Sequence, residues 1–546
     1  MTSILSGLQR LARPSKAFIL VFAIALAAGC AVTPEQRAAI EPQAIKFAPK
    51  EGVLIVKASS NRNIGTFFEK WQELTVFNQS TGEKHSIINR SPPYAGYSLY
   101  VGALPAGTYF LSRFGSSAHG YISINSWADL GPKHGRFLIE EGKVTDLGTI
   151  LYLRPYYPTN TRLYRLAFSR VPFESQNVIA SLDPAVAVSA RKGALDWLVP
   201  IGEETRPRLV KSQVFSMFLN DPHPAETSCI DRGKCAAGQR PATTQEILFG
   251  EALGMIARRD SEGRWSWLDT GTLNTILSLH VARDGTLYAG TDQSLILAKS
   301  AGADTWTPLP FPLHDASVRF IGEHPDLGGI VVAQDRRNIV VLSCPDLKKP
   351  VWTEMRRIPV EMFANPAMDT KADAFMAGDS LVVVTRSVQF TLNVAFHVYD
   401  IKRKLWHENP IERYSLAYSP MPDGSIYSMS GANISQNLFV TRDWGKTWEK
   451  RDSPNWMGQP VFRDTNKGYG IRIESIPAFD PSKLTNSFWK TADGGRTWTN
   501  AGPLPNQSAR LIQLPADGNF LLMTYAGQLY LTRDDGVTWK EERSVR

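Results

Sequence analysis

Short apolar runs follow one another from about residue 46 to the end of the chain. Polar positions alternate with apolar ones inside many of these runs, and Gly, Pro, Asn or Asp clusters separate them. The segment between Trp265 and Trp306 is typical, since it contains ILSLHVA, GTLYAGT and SLILAKS with Asp284-Gly285 as a turn. Alternation with a period of two, bounded by turn residues, is typical of β-strands. The pattern therefore predicts an all-β protein.

One polar turn occurs three times near the C-terminus, as TRDWGKTW from Thr441, TADGGRTW from Thr491 and TRDDGVTW from Thr532. A strand-like run precedes each copy, which predicts a β-hairpin. Its Asp accepts hydrogen bonds from turn amides, and its Gly takes a positive φ. The Trp begins the returning strand and is the large apolar side chain to be buried. Nine residues receive this structural role: Asp443, Gly445, Trp448, Asp493, Gly495, Trp498, Asp534, Gly536 and Trp539.

The tryptophan of this turn also marks a longer period. Weaker copies of the turn precede four further tryptophans, at Trp265, Trp306, Trp352 and Trp406. The seven anchors are spaced by 41, 46, 54, 42, 50 and 41 residues. A period of this length holds four short strands and their turns, which is the size of one propeller blade. The spacing therefore predicts a seven-bladed β-propeller over residues 206–546.

The repeated motif, S/T-x-D-x-G-x-T-W, resembles the Asp-box of the BNR-type β-propellers. That group includes sialidases, sortilin-like receptors, xyloglucan-cleaving propellers and the photosystem II assembly-factor propeller. The resemblance covers residues 206–546 and is closest in the last three repeats. It implies the propeller fold. In that family the box lies at the outer edge of a blade, away from the central funnel, so the resemblance implies little about chemistry.

Residues 1–29 are typical of an export signal. Arg10, Arg13 and Lys16 precede the apolar run AFILVFAIALAAG, which is short for a mature membrane-spanning helix. The run ends in small residues followed by Cys30, which resembles the bacterial lipoprotein processing box. That resemblance implies that Cys30 becomes the first residue and carries acyl chains such as palmitate. An ordinary secretory signal followed by a chance cysteine is the alternative.

Acylation of Cys30 predicts a membrane anchor that needs no transmembrane helix. The absence of Asp at position 31, where Ala stands, favours sorting to the outer membrane by family analogy. Residues 30–45 then form a tether. The expected location is the bacterial cell envelope, lipid-anchored in the outer membrane and facing the periplasm or the cell surface.

Two further segments separate the tether from the propeller. Residues 46–155 carry seven strand-like runs and predict a small β-sandwich domain. Within them, GALPAGTYFLSRF and GRFLIEEGKVTDLG resemble the prealbumin-like or carboxypeptidase-regulatory type of sandwich. Residues 156–205 interrupt this pattern with NVIASLDPAVAVSARKGALDWL, whose apolar residues have mixed helical spacing. This segment is predicted to be a connector with short helices.

Cysteine spacing adds one expected cross-link. Cys229 and Cys235 enclose five residues, and in an exported chain they are predicted to form a disulfide that closes a surface loop. A pair of zinc ligands is the alternative. Cys344 stands alone at a strand end, and it is predicted to be buried and unpaired.

Charge and motifs exclude several function classes. Removing residues 1–29 takes away three positive charges and no negative one, so the net charge of +8 becomes +5. This modest excess does not predict nucleic-acid binding.

Arg356-Arg357-Ile358-Pro359 resembles the sialidase F/Y-R-I-P motif, but Arg356 replaces the aromatic residue and a match of four positions is weak support. The Asp-box carboxylates could also be calcium ligands, yet each box offers too few of them. No catalytic residue, cofactor or metal is predicted.

The sequence predicts a non-catalytic binding or assembly scaffold, a monomer that presents a propeller face to an envelope protein or a glycan. The alternative is a polysaccharide-acting hydrolase or lyase with acids in the propeller funnel. Two facing acids, one with a raised pKa, would favour the enzyme, whereas ordinary packing in the funnel would favour the scaffold.

Overall fold

The computed structural model contains only β-strands as regular elements among the residues that it describes. No helix in this part of the chain is long and apolar enough to cross a bilayer. The described residues are 48–60, 71–91, 97–118, 124–132, 135–153, 165–169, 197–198, 247–250, 254–360, 371–388, 392–411, 417–420, 423–430, 437–451, 453–454, 457, 460–475, 485–505, 508–513, 519–524 and 529–543.

The first nine strands form what we call the first unit. Sheet A has the strand order β4-β1-β8-β9, and sheet B has the order β3-β2-β5-β6 with β7 paired to β5. Strands β1 and β8 run parallel, whereas the other pairs are antiparallel. The strands are β1 (Glu51–Ser60), β2 (Glu73–Asn78), β3 (Lys84–Ile88), β4 (Tyr97–Pro105), β5 (Gly107–Ala118), β6 (Ile124–Asp129), β7 (Phe137–Ile139), β8 (Val144–Leu153) and β9 (Arg165–Ser169).

One hydrophobic core lies between these two sheets. Leu54, Val56 and Tyr100 reach it from sheet A, and Leu74 and Phe114 reach it from sheet B. All five side chains are buried, and the Tyr100 hydroxyl donates a hydrogen bond to the Trp71 carbonyl oxygen at 2.9 Å. Two facing sheets therefore share one core, as sheet-on-sheet packing requires.

Sheet A departs from simple alternation because its strands β1 and β4 are buried on both faces. Val53 and Ile55 of β1 point away from the core shared with sheet B, and so do Leu99 and Val101 of β4. All four side chains are nonetheless at most 1% exposed. A strand covered on both faces has a continuous apolar sequence, which explains the run GVLIV.

The first unit also extends beyond residue 155. Strand β9 pairs with β8, and the Trp197 indole donates a hydrogen bond to the Leu147 carbonyl oxygen at 3.0 Å. Parts of the predicted connector therefore pack against this unit. Most of the segment with the predicted short helices lies outside the described residues.

The remaining strands form seven antiparallel sheets in chain order, here called sheets 1 to 7, of which six have four strands and sheet 1 has three in the described residues. Within each sheet, consecutive strands are neighbours. The first four sheets are β10 (Ile247–Gly250), β11 (Met255–Arg259) and β12 (Trp265–Asp269) in sheet 1; β13 (Ile276–Val281), β14 (Leu287–Thr291), β15 (Ile296–Lys299) and β16 (Thr307–Leu309) in sheet 2; β17 (Ser317–His324), β18 (Gly328–Gln334), β19 (Asn338–Cys344) and β20 (Thr353–Pro359) in sheet 3; and β21 (Lys371–Ala377), β22 (Ser380–Val388), β23 (Leu392–Asp400) and β24 (Leu405–Ile411) in sheet 4.

The last three sheets follow the same order. They are β25 (Ala417–Pro420), β26 (Ile426–Ser430), β27 (Asn437–Thr441) and β28 (Glu449–Arg451) in sheet 5; β29 (Val461–Phe462), β30 (Gly468–Ser475), β31 (Thr485–Thr491) and β32 (Thr499–Pro503) in sheet 6; and β33 (Ser508–Gln513), β34 (Phe520–Thr524), β35 (Leu529–Thr532) and β36 (Lys540–Arg543) in sheet 7.

Each sheet shares a hydrophobic cluster with the next sheet, and the last shares one with the first. Phe249 and Ala257 of sheet 1 pack with Leu521 and Leu531 of sheet 7. One anchor tryptophan packs against each of the seven clusters. It belongs to the later of the two sheets, except in the cluster between sheets 7 and 1, where it belongs to sheet 1. The seven are Trp265, Trp306, Trp352, Trp406, Trp448, Trp498 and Trp539. The contacts between sheets therefore form a closed cycle.

The antiparallel order places the loops at two opposite ends of the sheets. In sheets 2 to 7, loops that precede a first strand and loops that join second to third strands lie at one end, which we call the docked face. In the same sheets, loops that join first to second strands and third to fourth strands lie at the other end, which we call the turn face. The three Asp-box turns join third to fourth strands and lie on the turn face. The first unit contacts the docked face, where Lys57 reaches Asn274 and Gln293.

Candidate functional site

The three Asp-box turns have the same hydrogen-bond geometry. In the second copy, Asp493 accepts hydrogen bonds from the Thr497 amide at 2.9 Å and the Thr497 hydroxyl at 2.6 Å. The Thr491 hydroxyl donates to Asp493 at 2.8 Å and accepts from the Gly495 amide at 2.8 Å. Asp443 and Asp534 make the corresponding bonds. Both oxygens of each carboxylate are therefore engaged inside the turn.

These bonds hold the carboxylates in their charged form. The Thr538 hydroxyl and amide lower the pKa of Asp534 to about 2, and the corresponding groups of Thr497 hold the pKa of Asp493 well below its ordinary value. A lowered carboxyl pKa stabilises the folded state above the pKa of the unfolded chain, and this contribution is lost as the pH falls towards the folded value.

Replacing Asp493 with Ala is expected to lower the free energy of unfolding by about 1–2 kcal/mol at neutral pH, because the turn amides lose their acceptor at a partly solvated site. The difference from wild type should shrink as the pH falls from about 5 to about 3, since the unfolded carboxyl titrates near 4. Urea denaturation at both pH values is the measurement. Asp304→Ala, at an exposed position in the corresponding turn of sheet 2, is the matched control. A difference that stays constant with pH would contradict this account.

The Asp-box tryptophans pack in the hydrophobic clusters between sheets. Trp448 lies against Phe396 of sheet 4, with ring centroids 6.3 Å apart, and Trp539 lies edge-on to Phe488 of sheet 6 at 5.5 Å. Trp498 contacts Phe462 at 6.2 Å. They are partly buried rather than fully buried. Their contribution is therefore to hold neighbouring sheets together.

A cavity of about 930 Å³ opens on the turn face between sheets 2, 3 and 4. Sheet 2 contributes His280 and Tyr288, sheet 3 contributes Glu323 and Lys348, and sheet 4 contributes Met376. The side chains come from strand ends and from the loops that follow first and third strands. The cavity therefore exists only when the three sheets pack side by side.

A pair formed by a buried histidine and a more exposed carboxylate lies in the wall of this cavity. His280 Nε2 is 3.0 Å from Glu323 Oε2, and the imidazole stacks against Tyr288. Burial lowers the pKa of His280, and this effect exceeds the opposing effect of Glu323. The imidazole is thus neutral at pH 7 and donates its Nε2 proton to Glu323.

A second pair of the same kind lies beside the first. The Asp326 amide donates to His324 Nδ1 at 3.2 Å, so the ring proton is on Nε2, which is 3.4 Å from Asp379 Oδ1. Asp379 also forms an ion pair with Lys402. Lys402 and then His324 lower the pKa of Asp379. The two His–carboxylate pairs join sheet 2 to sheet 3 and sheet 3 to sheet 4.

Charges at the cavity mouth are paired. Lys348 Nζ lies 2.5 Å from Asp284 Oδ2 and lowers the pKa of Asp284 to about 2. Lys348 and Asp284 come from different sheets and are 57% and 43% exposed. The mouth therefore offers both donors and acceptors to a polar partner without a large excess of either charge.

Nine of the described carboxyl groups have a pKa below its ordinary value: Asp260, Asp284, Glu354, Asp379, Asp443, Glu449, Asp464, Asp493 and Asp534. A proton donor in glycoside cleavage has a raised pKa instead. The described residues also contain no group of three or more His, Cys, Asp or Glu side chains placed to hold a metal ion.

The arginines of the sialidase-like tetrapeptide lie on the last strand of sheet 3. Arg356 is on β20, the outermost strand of sheet 3, where it donates to Glu408 at 2.9 Å and lies over the Trp406 ring. Arg357, the next residue, is paired with Glu354. Both guanidinium groups serve contacts on outer strands.

The cysteine predictions fall in different parts of the chain. Cys344 is a free thiol, as predicted, and burial raises its pKa to about 11. Cys30, Cys229 and Cys235 lie outside the described residues. The cavity, in contrast, had no signal in the sequence, because its histidines and acids belong to no motif.

Comparisons with known proteins find partial similarities. No family model matches the chain. It is 27% identical over 149 residues to a probable oligoxyloglucan-reducing end-specific xyloglucanase of Neosartorya fischeri, a stretch that covers 24% of this chain. The chain spans 18% of the length of that curated relative.

Two of the solved structures with partial similarity to the chain are the following. YCF48 bound to D1 peptide is 13% identical, with 53% of this chain and 95% of that chain covered and a TM-score of 0.36. Oligogalacturonate lyase in complex with manganese is 10% identical, with 58% and 91% covered and a TM-score of 0.40.

Proposed function

We propose that this protein is a cell-envelope lipoprotein that works as a non-catalytic binding or assembly scaffold, with an envelope protein or a glycan bound at the cavity on the turn face. The observation that carries the proposal is that the carboxylates around that cavity are held by hydrogen bonds and an ion pair. Glu323 and Asp379 accept hydrogen bonds from histidines, and Asp284 pairs with Lys348. Groups held in this way by hydrogen bonds and an ion pair give fixed donors and acceptors with which a polar partner can be recognised.

We infer further that the seven sheets are the blades of a seven-bladed β-propeller. The support is the closed cycle of shared clusters, which ends with the packing of sheet 7 on sheet 1. We also infer that the first unit is a β-sandwich of the prealbumin-like type, because sheets A and B enclose a single core. A rigid ring of this kind is a suitable platform for a loop-built binding site.

The lipoprotein part of the proposal rests on the sequence around Cys30. Replacing Cys30 with Ser is expected to abolish acylation and to move the protein from the membrane fraction to the soluble fraction, since the acyl chains on Cys30 are the proposed anchor. Fractionation and mass spectrometry of the N-terminal peptide measure this. Unchanged membrane association, with no lipid mass on the wild-type peptide, would contradict it.

A hydrolase or lyase that acts on polysaccharides is the second candidate. The partial similarity to a xyloglucanase favours it, and the His280–Glu323 pair is the nearest arrangement to a general base. Release of oligosaccharides from plant or bacterial polysaccharides, lost in Glu323→Gln, would support this candidate over the scaffold.

The scaffold is tested by a charge reversal at the cavity mouth. Lys348→Glu places a second negative charge beside Asp284 and is expected to reduce retention of the partner from detergent-solubilised envelope by at least about tenfold, as like charges across an interface cost several kcal/mol. Lys450→Glu makes the same charge change on an exposed outer strand of sheet 5 and should retain the partner. Equal retention by both variants would contradict binding at the cavity.

A further inference from the structure

The contact between the first unit and the ring is built around a buried ammonium group. Lys57 is near the end of β1, on the face of sheet A that points away from sheet B, and it is only 2% exposed. Its Nζ lies 3.1 Å from Gln293 Oε1 and 3.3 Å from Asn274 Oδ1. The same atom lies 4.8 Å above the Tyr97 ring. Residues far apart in sequence therefore solvate this charge in place of water.

A second cation closes the contact from the side of the ring. Arg336 Nε donates to Asp315 Oδ2 at 2.5 Å, and its Nη2 donates to the carbonyl oxygen of Arg90 in the first unit. Asp315 is 4% exposed, and Asp292, also at this contact, is 3% exposed. Lys57, Asp292 and Asp315 are thus buried at this contact, and Arg336 is partly buried. Burial, and then the nearby charge of Arg336, lower the pKa of Arg90.

All the ring residues in this contact come from the docked face. Asn274 and Asp315 precede the first strands of sheets 2 and 3, and Gln293 and Arg336 join second to third strands in the same sheets. The cavity lies at the other end of these two sheets, beside loops that follow β13, β17 and β19. The first unit and the cavity therefore occupy opposite ends of sheets 2 and 3.

The energetics favour a fixed contact over a loose one. A buried ammonium or guanidinium group is costly unless hydrogen bonds replace its hydration, and breaking such a set leaves uncompensated charges. Lys57 and Arg336 obtain their partners from both units at once. A partly opened contact would separate these cations from some of their partners before water could replace the lost hydrogen bonds. Partly opened arrangements of the two units are therefore unfavourable.

We propose that the first unit is a permanent cap on the docked face of sheets 2 and 3, and that it directs the partner to the turn face. The first claim, that the first unit is a cap, needs no partner to be tested. The second claim, that the partner binds at the turn face, rests on the proposed function. Tyr97, which is 2% exposed, lies under the Lys57 ammonium group and close to Asp315 and Asp292 of the ring.

Charge reversal at Lys57 tests the cap. Lys57→Glu would set a carboxylate against the amide oxygens of Asn274 and Gln293, next to Asp292 and Asp315. Small-angle scattering is expected to report a larger maximum dimension. Amides of the loops at 270–275 and 292–295 should exchange hydrogen at least about tenfold faster, as expected when a contact opens locally. Lys84→Glu, at an exposed position on the edge strand of sheet B, is the matched control and should behave as wild type.

A second variant covers the case in which Lys57→Glu prevents the first unit from folding. Gln293→Lys brings a second ammonium group against Lys57 from a loop of the ring and leaves the first unit unchanged. It should give the same increases in dimension and exchange. Wild-type scattering and exchange in folded Gln293→Lys protein, together with the same result in Lys57→Glu, would overturn the cap.

The assignment of the partner to the turn face has a separate readout. Gln293→Lys protein should retain the partner as well as wild type does, whereas Lys348→Glu protein should not. Loss of retention in Gln293→Lys would overturn the assignment and place the partner at the docked face. Because scattering and exchange need no partner, a failure of the cap is distinguished from a failure of the proposed function.

Discussion

Replacing Gly536 with Ala is expected to destabilise the protein by about 2–5 kcal/mol, from backbone strain and a steric clash together. Gly536 has a φ of +84°, where a side chain is disfavoured. A Cβ atom there would lie 2.1 Å from Cε1 of Phe488, in the cluster between sheets 6 and 7. The buried Phe488 ring also contacts Trp539, so it has little room to move.

Gly424→Ala separates the two causes. Its φ of +82° is nearly the same, but a Cβ atom there meets nothing within 4 Å. This control should lose only about 1–2 kcal/mol, the cost of the left-handed backbone. Chemical denaturation of the two variants beside wild type is the measurement. Equal losses would mean that the Asp-box glycine serves the turn alone and not the packing of one sheet on the next.

Removing the ion pair between the first and last sheets is expected to cost about 3–5 kcal/mol, because the remaining partner is a buried charge without compensation. Arg259 of β11 donates to both carboxylate oxygens of Glu542 in β36. The two side chains are only 5% and 12% exposed. The Trp265 indole, 3.4 Å from Glu542, completes the contact. Arg259→Met and Glu542→Leu are the single variants.

The double variant tests whether this pair closes the ring. With both charges replaced by apolar side chains, the protein should be more stable than either single variant, since no unpaired charge remains. Arg113→Met, at the exposed ion pair with Asp129 in the first unit, should change stability by less than about 1 kcal/mol. Additive losses in the double variant would contradict the coupling of sheet 1 to sheet 7.

The architecture of the ring could be predicted because its signals are local. Asp493, Gly495 and Trp498 lie within one turn. The hydrogen bonds and φ angles of a turn depend on the residue types at consecutive positions, so they can be predicted from the sequence. Trp306 and Trp352 could be recognised as anchors although the Asp of the box is absent there, because their distances from the other anchor tryptophans match the repeat length. All seven belong to clusters between sheets.

The cavity and the cap could not be predicted, because their partners meet only after the sheets have packed. His280 and Glu323 are 43 residues apart, and Lys57 and Asn274 are 217 apart. No spacing rule relates such residues. Lys57 also occupies an outward position of β1, where a lysine usually faces solvent. Only the ring, packed against that position, makes it a buried contact.

Two local signals would have improved the prediction for the first unit. The run GVLIV in β1 is apolar without interruption, which is typical of a strand buried on both faces. Strand β9, RLAFS, alternates in the middle of the predicted connector and adds an edge to sheet A. Strand β9 indicates that sheet A extends beyond the predicted sandwich, and the apolar run in β1 indicates that the outer face of sheet A is buried.

Site-specific photocrosslinking in the native envelope tests most directly the claim that a partner binds at the turn face of a closed, capped ring. A photoreactive residue would replace Lys348 or Lys402 beside the cavity, and, as a control, the exposed Lys84 of sheet B. We expect crosslinks to one partner from both cavity positions and none from position 84. Crosslinks to that partner from position 84 alone, or from neither cavity position while the protein retains its partner, would contradict the account.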